Sequence, residues 1–591
     1  MKQFFITMAG VFAGLVVFAI AVPFLLVVAA ASAARPDPLP ARAVLELDLR
    51  QGLTDQDAPN PLLSLGRQGL SVMGVVDSLR KAEQDDRVKA VLVRLPEGGI
   101  EPAAADELRL ALKRFRAAGK PVYAHSQGIY PSGMVTSTYM LGAAANEFWM
   151  QPAASLQVTG LTSEDIFFKR ALDKYGLQAD FQQRYEYKNA VNPYLYSDYT
   201  PQHREAQLSW MGSVYRSALF TAAADRGKDP AGLQRSLEAG PYQAEEAHRL
   251  GLIDRIGQVK DAEQALIKQA GDGARLVEFE DYQRRERRAA HESGPAIGVI
   301  EAEGPIVTGR DGIGNPLTGS STIYADEISE AIYDAIEDDD IKAIVFRVNS
   351  PGGSDTASEQ IAAAVRAAKA AGKPVVVSMG TYAASGGYWI SAEASSIVAE
   401  PTSLTGSIGV FGGKLAVGPA LQRFGVDIRE TSVGGSYADA FALGQAMAPD
   451  DQAAFGRWMD QIYENFVARV AAGRKLPVER VREIAKGRIW TGAQARQLGL
   501  VDEVGGFYQA VEKAKALAGL KGETNLKRMS PRESPFEAIE HALGVSATSA
   551  RTLAAAAWLL GDPKAEAVLD EVARARMGQS RTTVLAPTPV R

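Results

Sequence analysis

The chain has 591 residues, 46% of them hydrophobic and 23% charged, a composition typical of a globular protein with more than one domain. Its net charge of −6 gives no electrostatic footprint for nucleic acid. The absence of cysteine excludes disulfides, thiolate catalysis and cysteine-ligated metals, and the five histidines show no metal-ligand spacing. We therefore expect neither a metal site nor another cofactor.

The N-terminus carries an uncharged segment, residues 3–34, between Lys2 and Arg35. About 20 apolar residues are enough to span a bilayer, whereas the apolar core of a signal peptide is only about 7–15 residues long. The sequence Ala-Ser-Ala at 31–33 resembles a cleavage site, but the length favours an uncleaved transmembrane anchor. Lys2 favours an inner N-terminus, although Arg35 flanks the other side. Residues 1–41 are thus predicted to be anchor and linker.

The rest of the chain contains an internal repeat. The segment "DDRVKAVLVRL" at 85–95 returns as "DDDIKAIVFRV" at 338–348. Farther on, "RLGLIDRIG" at 249–257 returns as "QLGLVDEVG" at 497–505. Matches in the same order and at similar spacing predict two homologous units.

These matches divide the chain into a first half at 42–290, a second half at 291–525 and a C-terminal appendage at 526–591 that repeats nothing. In the second half, the buried-strand pattern "KAIVFRV" at 342–348 is followed by an Ala-rich helical segment and then by the strand pattern "KPVVVSM" at 373–379. Alternation of strands and helices predicts an α/β fold with parallel sheets.

The segment "TYAASGGYWI" at 381–390 places Ser385 where a strand ends and a helix begins. Catalytic groups of open α/β sheets gather at the carboxyl ends of strands, and the first turn of a helix has free N–H groups. Ser385 is therefore a candidate nucleophile, and the N–H of Gly386 is a candidate oxyanion donor.

Two further loops follow neighbouring strands. "NSPGGS" at 349–354 offers the N–H groups of Gly352 and Gly353 as a second oxyanion donor, and "TSLTGSIGVFGG" at 402–413 is expected to line the cleft with Thr405 and Ser407. Each loop alone is more often a simple turn. Their joint position after successive strands indicates a substrate site.

The motifs "SPGG", "YAASGGYW" and "LTGSIGVFG" resemble the signal peptide peptidase A family, of the protease IV type, and the resemblance covers nearly the whole chain. It implies two tandem ClpP/crotonase-like domains after an N-terminal transmembrane helix. It also implies a serine endopeptidase with a Ser–Lys dyad that degrades cleaved signal peptides. The implied assembly is a homotetramer, anchored by a single pass in the bacterial inner membrane with its catalytic body on the periplasmic side.

The resemblance also supplies the general base, since no histidine lies near Ser385 in sequence. The lysine motif of the family maps onto "RYEYKNAVNPY" at 184–194, so Lys188 becomes the proton acceptor and donor. Burial can lower the pKa of a lysine enough for this role. Ala438 occupies the equivalent position of the second half, and Lys414 is the alternative base. Ser132, the counterpart of Ser385, is interpreted as a relic that caps a helix.

Two other functions fit part of the pattern. A crotonase-like enzyme acting on acyl thioesters would share the fold, because fold does not imply function. A non-catalytic membrane scaffold would have no need of Ser385. The anchor and the serine beside an oxyanion donor favour the peptidase, whose expected substrates are signal peptides and other apolar peptides.

Overall fold

The computed structural model describes residues 38–56, 69–289, 294–310, 321–522 and 524–529. The predicted anchor at 3–34 and almost all of the predicted appendage lie outside these ranges. Within them, none of the helices combines the length and the apolar character that a membrane crossing requires.

The first half contains strands β1 (Ala43–Asp48), β2 (Val88–Leu95), β3 (Val122–Ser126), β4 (Glu147–Met150), β5 (Ser155–Leu156), β6 (Gln178–Arg184), β7 (Tyr242–Gln243), β8 (Arg255–Ile256) and β9 (Arg275–Glu278). Its helices are α1 (Val72–Gln84), α2 (Pro102–Ala117), α3 (Val135–Ala143), α4 (Lys169–Tyr175), α5 (Asn192–Leu195), α6 (Pro201–Asp225), α7 (Pro230–Glu238), α8 (Ala244–Arg249), α9 (Val259–Ala270) and α10 (Phe279–Ala289).

The second half contains strands β10 (Ala296–Glu303), β11 (Ile306–Val307), β12 (Ile323–Tyr324), β13 (Ile341–Ser350), β14 (Val375–Ala384), β15 (Ser396–Ala399), β16 (Leu404–Gly406), β17 (Val410–Ala416), β18 (Ile489–Thr491), β19 (Glu503–Val504) and β20 (Asn525–Arg528). Its helices are α11 (Ala325–Glu337), α12 (Asp355–Ala370), α13 (Gly386–Ala392), α14 (Gly418–Gln422), α15 (Pro449–Arg474), α16 (Val478–Ile484), α17 (Gly492–Leu498) and α18 (Phe507–Ala518).

The two halves share one sheet topology. The first sheet has the order β8-β4-β3-β2-β1-β9, and the second repeats it as β19-β15-β14-β13-β10-β20. All of these neighbours are parallel. In the second half, β16 and β18 extend the sheet beside the end of β14. The α/β fold and the tandem repeat predicted from the sequence are therefore confirmed.

The second sheet continues beyond the predicted boundary at residue 525. Strand β20 begins at Asn525 and pairs with β10, as β9 pairs with β1 in the first half. No sequence pattern predicts β20, because it is a short, polar edge strand without hydrophobic alternation. Residues 526–528 thus belong to the sheet rather than to the appendage.

The central strand β13 is buried on both faces. Val345 and its neighbour Val376 belong to an apolar cluster that also contains Leu47 of the first half. Ile344 and Phe346 lie in a second cluster, formed by the second half. Successive residues thus point into different cores, which explains the nearly continuous apolar sequence of this strand.

A two-stranded antiparallel ribbon connects the halves at one end. Strand β6 of the first half pairs with β17 of the second half, with Arg184 opposite Val410. The residues after β6 therefore run beside the residues before β17. This arrangement brings Lys188 from the first half to the loop that contains Ser407 of the second half.

Candidate active site

Ser385 occupies a sharp turn between β14 and α13. Its φ of 54° and ψ of −119° lie outside the regions that non-glycine residues normally adopt. The backbone holds the turn in place, because Ser385 N–H donates to the carbonyl of Gly406 at 2.9 Å and Ser385 C=O accepts from Tyr388 N–H at 3.0 Å. Such local strain persists only where the surrounding structure enforces it, and it is common at active sites.

Lys188 reaches this turn from the other half of the same chain. Its Nζ lies 3.0 Å from Ser385 Oγ, 2.9 Å from Ser407 Oγ and 2.9 Å from the carbonyl oxygen of Ser407. The lysine is only 3% exposed, and burial lowers the pKa of its amine to about 7 because the ammonium form loses its hydration. A substantial fraction is therefore unprotonated near neutral pH and able to accept a proton from Ser385.

The backbone around Lys188 is tied to a loop of the second half. Tyr187 N–H donates to the carbonyl of Lys486 at 3.1 Å, and Gly487 N–H donates to that of Ile408 at 2.8 Å. Residues 486–488 therefore lie between the lysine segment and the Ser407 loop and bind both. This packing fixes the lysine stem before any substrate binds.

Ser407 lies beside the amine of Lys188. The sequence suggested a residue that lines the substrate cleft, and in the structure both the Oγ and the carbonyl oxygen of Ser407 contact Lys188 Nζ. Its backbone has a φ of 50°, and its N–H donates to the carbonyl of Arg488 at 2.7 Å. Ser407 thus orients the amine toward Ser385 Oγ.

The glycine loops pack directly against the Ser385 turn. A Cβ at Gly352, where φ is 111°, would lie 2.7 Å from both Gly386 N and Ser385 Cβ. A Cβ at Gly386 would lie 3.0 Å from Gly353 N. Only glycine permits this approach, which brings the three predicted glycines together with Ser385. The N–H of Gly386 also belongs to the first turn of α13, where N–H groups have no acceptor within the helix.

Sequence reasoning missed the residues that support the glycine loop. Asn349 Oδ1 accepts from Tyr382 N–H at 3.0 Å, and its Nδ2 donates to Glu303 Oε1 at 3.2 Å. Glu303 also accepts from the N–H groups of Asp55 and Gln56 at 3.1 and 3.0 Å. This network links a first-half loop to the ends of β13 and β14, the strands that lead into the two loops of the site. Asn349 stands in the quoted motif "NSPGGS", but nothing in the local sequence marks Glu303.

Lys414, the alternative base, has another partner. Its Nζ donates to the carbonyl of Ala442 at 2.6 Å. It lies within β17, opposite Asp180 of β6. The contact with Ser385 Oγ belongs to Lys188 instead.

Ser132 does not cap a helix, contrary to the sequence-based interpretation. It lies in an exposed bend, and α3 begins only at Val135, with Met134 at the N-cap position and no side-chain cap. The carbonyl of Ser132 accepts from Gly99 N–H at 2.7 Å, and Gly99 corresponds to Gly352 at the same offset of 253 residues that relates Ser132 to Ser385. In the first half, the carbonyl of the serine itself is therefore hydrogen-bonded to the glycine loop.

Comparisons with known proteins agree with this architecture. The profile of peptidase family S49 matches residues 114–272 and 367–521, once in each half. "Protease 4" of Salmonella typhi is 35% identical over 506 residues, which cover 81% of this chain and 79% of the relative. "Protease 4" of Haemophilus influenzae is 32% identical over 477 residues (78% and 75%). "Serine protease SPPA, chloroplastic" of Arabidopsis thaliana is 28% identical over 485 residues (81% and 69%).

The site combines a strained serine, a buried lysine and glycine loops on a repeated α/β fold. Together with these relatives, it identifies the chain as a serine peptidase. The chain belongs to peptidase family S49. The resemblance to the protease IV type found in the sequence is confirmed.

Substituting Gly386 with alanine should impair catalysis more than folding. The added Cβ would lie 2.7 Å from Ser358 Oγ and 3.0 Å from Gly353 N, so the two glycine loops must separate. Loss of one oxyanion donor typically costs about 10²–10³ in kcat, and we expect a fall of about that size. Peptide hydrolysis and Tm measure the two effects. Gly69→Ala, where the added Cβ has no neighbour within 4 Å, is the control. An unchanged kcat in Gly386→Ala would argue against an oxyanion role for these loops.

Proposed function

We propose that this peptidase is a membrane-anchored serine endopeptidase that degrades cleaved signal peptides with a dyad of Ser385 and Lys188. The observation that carries the dyad is the 3.0 Å contact between Lys188 Nζ and Ser385 Oγ at a buried position. Burial deprives the ammonium form of Lys188 of its hydration and so favours the neutral amine, which is the form that a general base needs.

In the proposed mechanism, Ser385 Oγ attacks the carbonyl carbon of the scissile peptide bond while its proton passes to Lys188 Nζ. The N–H groups of Gly353 and Gly386 stabilise the oxyanion. Gly352, also predicted as a donor, is not a candidate because its N–H already donates to Ser350 Oγ at 3.1 Å. The resulting ammonium of Lys188 then donates its proton to the leaving amine, which releases the first product. Water attacks the acyl-enzyme with Lys188 again as the base.

Both members of the dyad come from one chain, although they belong to different halves. The sequence left open whether the pair forms within a chain or between chains. We infer that it acts within one chain, because the β6–β17 ribbon and the loop at 486–488 hold Lys188 beside Ser407 without a second copy.

The proposed substrates are apolar peptides, signal peptides among them. The loops around Ser385 consist largely of Gly, Ser, Ala and Thr, which leave room for an extended chain with apolar side chains. The uncharged segment at 3–34 supports an anchor in the bacterial inner membrane with the catalytic body on the periplasmic side. We also propose ClpP/crotonase-like domains and a homotetramer, both implied by the sequence resemblance.

The test uses the full chain in a mild detergent with two matched peptides. An apolar peptide with Leu or Ala near the cut should be hydrolysed, whereas a version with Asp and Lys at those positions and a folded globular protein should survive. A serine-reactive acylating probe should form its adduct at Ser385, located by mass spectrometry, and Ser132→Ala should stay active. Equal cleavage of all three substrates would contradict the proposed specificity. Hydrolysis of an acyl thioester but of no peptide would favour the crotonase-like alternative.

A further inference from the structure

Arg488 lies in the short connection between α16 and β18, with its side chain packed against two aromatic rings. Its guanidinium carbon is 4.9 Å from the ring centroid of Tyr187 and 4.4 Å from that of Trp490. The side chain is only 16% exposed, although it ends in a charged group. A guanidinium can stack on aromatic rings because it is planar and weakly hydrated. One guanidinium here joins rings from two different segments.

The two rings belong to opposite sides of the dyad. Tyr187 directly precedes Lys188 in the lysine segment, residues 185–188. Trp490 belongs to β18, which pairs with β16, and the last carbonyl of β16 accepts from Ser385 N–H at 2.9 Å. The guanidinium therefore connects the lysine segment to the strands that hold the serine turn.

The backbone of the same residue holds a third group of the site. Arg488 C=O accepts from Ser407 N–H at 2.7 Å, and Ser407 contacts Lys188 Nζ with both of its oxygens. The neighbouring Gly487 lies so close to the lysine that a Cβ there would be 2.5 Å from Lys188 Cβ. The side chain and the backbone of Arg488 thus act on the same amine from two directions.

The internal repeat distinguishes Arg488 from the aromatic residues around it. At the offset of 248 residues that relates "QLGLVDEVG" to "RLGLIDRIG", Arg488 corresponds to Gly240. Lys188 likewise has Ala438 as its counterpart. The two ring positions remain aromatic in the other half, as Tyr242 and Tyr437. The arginine is therefore present only in combination with the lysine, whereas the rings also occur without it.

The ion pair of Arg488 contributes less to this arrangement than the rings. Its Nη2 donates to Glu205 Oε1 at 2.7 Å, but the glutamate is half-exposed, and exposed ion pairs stabilise weakly. Other charged side chains nearby are also paired, Lys486 with Glu186 and Arg184 with Asp460. Burial alone lowers the pKa of Lys188. A change in that pKa would therefore report a change in the packing of the amine.

We propose that Arg488 is a positioning residue, which connects the lysine segment to β18 and so holds Lys188 Nζ against Ser385 Oγ. The inference rests on the proposed dyad and adds a residue that acts on the lysine through Tyr187 and Trp490. Without the guanidinium, the lysine segment would shift and admit water to the amine. The neutral amine would then be less favoured, and it would lie farther from the hydroxyl that it deprotonates.

The test measures the pH dependence of Ser385 acylation by the serine-reactive probe, with the full chain in mild detergent. Arg488→Met keeps an aliphatic side chain but removes the guanidinium. Its acylation rate at neutral pH should fall by about 10–10²-fold, since a misplacement of about 1 Å can cost roughly 10²-fold. The midpoint of the profile should move upward from about 7, because hydration favours the ammonium. Arg488→Lys keeps the charge without the planar group and should shift the midpoint in the same direction.

The matched control is Arg482→Met, which removes an arginine from an exposed ion pair on α16. It should keep the parent rate and midpoint. Tyr187→Leu removes one ring and leaves the arginine, so it should also raise the midpoint, and it tests the same contact if Arg488→Met does not fold. Tm is measured for every variant, because a loss of stability alone would not move the midpoint.

Two results would overturn this inference and leave the dyad standing, provided that Lys188→Met is inactive. One is a parent-like midpoint in both Arg488→Met and Tyr187→Leu. The other is a parent-like midpoint in Arg488→Lys beside a raised one in Arg488→Met, because charge rather than packing would then determine the pKa of the lysine. An active Lys188→Met would overturn the dyad and this inference with it.

Discussion

Lys188→Met should lower kcat for peptide hydrolysis by about 10⁴–10⁶-fold, as the loss of one member of a catalytic unit does in other serine peptidases. The buried amine is the group that contacts Ser385 Oγ, and the thioether that replaces it cannot accept a proton. Ser385→Ala should lower kcat by about the same factor. The double variant should be scarcely worse than either single one, because the two groups act as a unit.

The matched control is Lys414→Met, which removes the hydrogen bond to Ala442 and leaves the contact with Ser385 intact. It should keep near-normal kcat. An active Lys188→Met together with an inactive Lys414→Met would transfer the general-base role to Lys414. Mixed oligomers of Ser385→Ala and Lys188→Ala chains should remain inactive, and recovered activity would place the dyad between chains.

The same lysine sets the expected pH dependence. Burial lowers its pKa from 10.5 to about 7, and only the neutral amine accepts the Ser385 proton. The rate kcat/KM should therefore rise with pH through about 7 and level off above it. Unfolding restores the ordinary pKa, so between about pH 7 and 10 the unfolded chain binds more protons and stability rises with pH.

This linkage separates a catalytic loss from a folding defect. At pH 7 and below, the folded protein holds a buried amine that would protonate freely in the unfolded chain. Lys188→Met removes the free-energy cost of burying this amine, so the Tm of the variant at pH 7 should equal or exceed that of the parent. A variant that is both inactive and less stable would indicate that Lys188 mainly supports the structure.

The sequence predicted the features that local patterns encode. Buried parallel strands read as apolar runs such as "KAIVFRV", and the duplication was visible because both halves kept these runs. Ser385 and the glycine loops were found because each stands directly after a strand. Short polar elements such as β20 carry no such pattern, and that is why the second half was predicted to end at residue 525.

Contacts between the halves could not be predicted from local patterns. Lys188 and Ser385 are far apart in sequence, and only the resemblance to a known family connected them. Ser407 was predicted to line the cleft because its loop follows a strand, but its contact with Lys188 depends on the antiparallel β6–β17 ribbon and could not be predicted. Glu303 supports the site through main-chain groups of a first-half loop, and no sequence pattern indicates such a contact.

The largest expected loss of stability comes from another contact between the halves, centred on Arg347. This residue of β13 is 1% exposed and donates to Asp55 at 2.6 and 3.0 Å and to Glu107 at 3.1 Å, both from the first half. Glu400 is also buried, and its Oε1 lies so close to Gly506 that a Cβ there would be 2.6 Å from it. Burial raises the pKa values of both Glu107 and Glu400. Arg347 is the cation that holds Asp55 and Glu107 in place.

Arg347→Met should reduce the free energy of unfolding by about 3–5 kcal/mol, because removing one partner leaves uncompensated charge in the interior. Without Arg347, the pKa of the buried Glu107 carboxyl would rise further above its unfolded value, so the deficit should grow as pH rises from 5 to 8. Urea unfolding at several pH values measures both effects. Arg347→Met/Glu107→Gln should regain part of the loss, since the glutamine carries no charge. Arg482→Met, at an exposed ion pair, should change stability little. If Arg347→Met is as stable as the parent at pH 8, the junction between the halves is held by its apolar core, and the buried charges do not stabilise it.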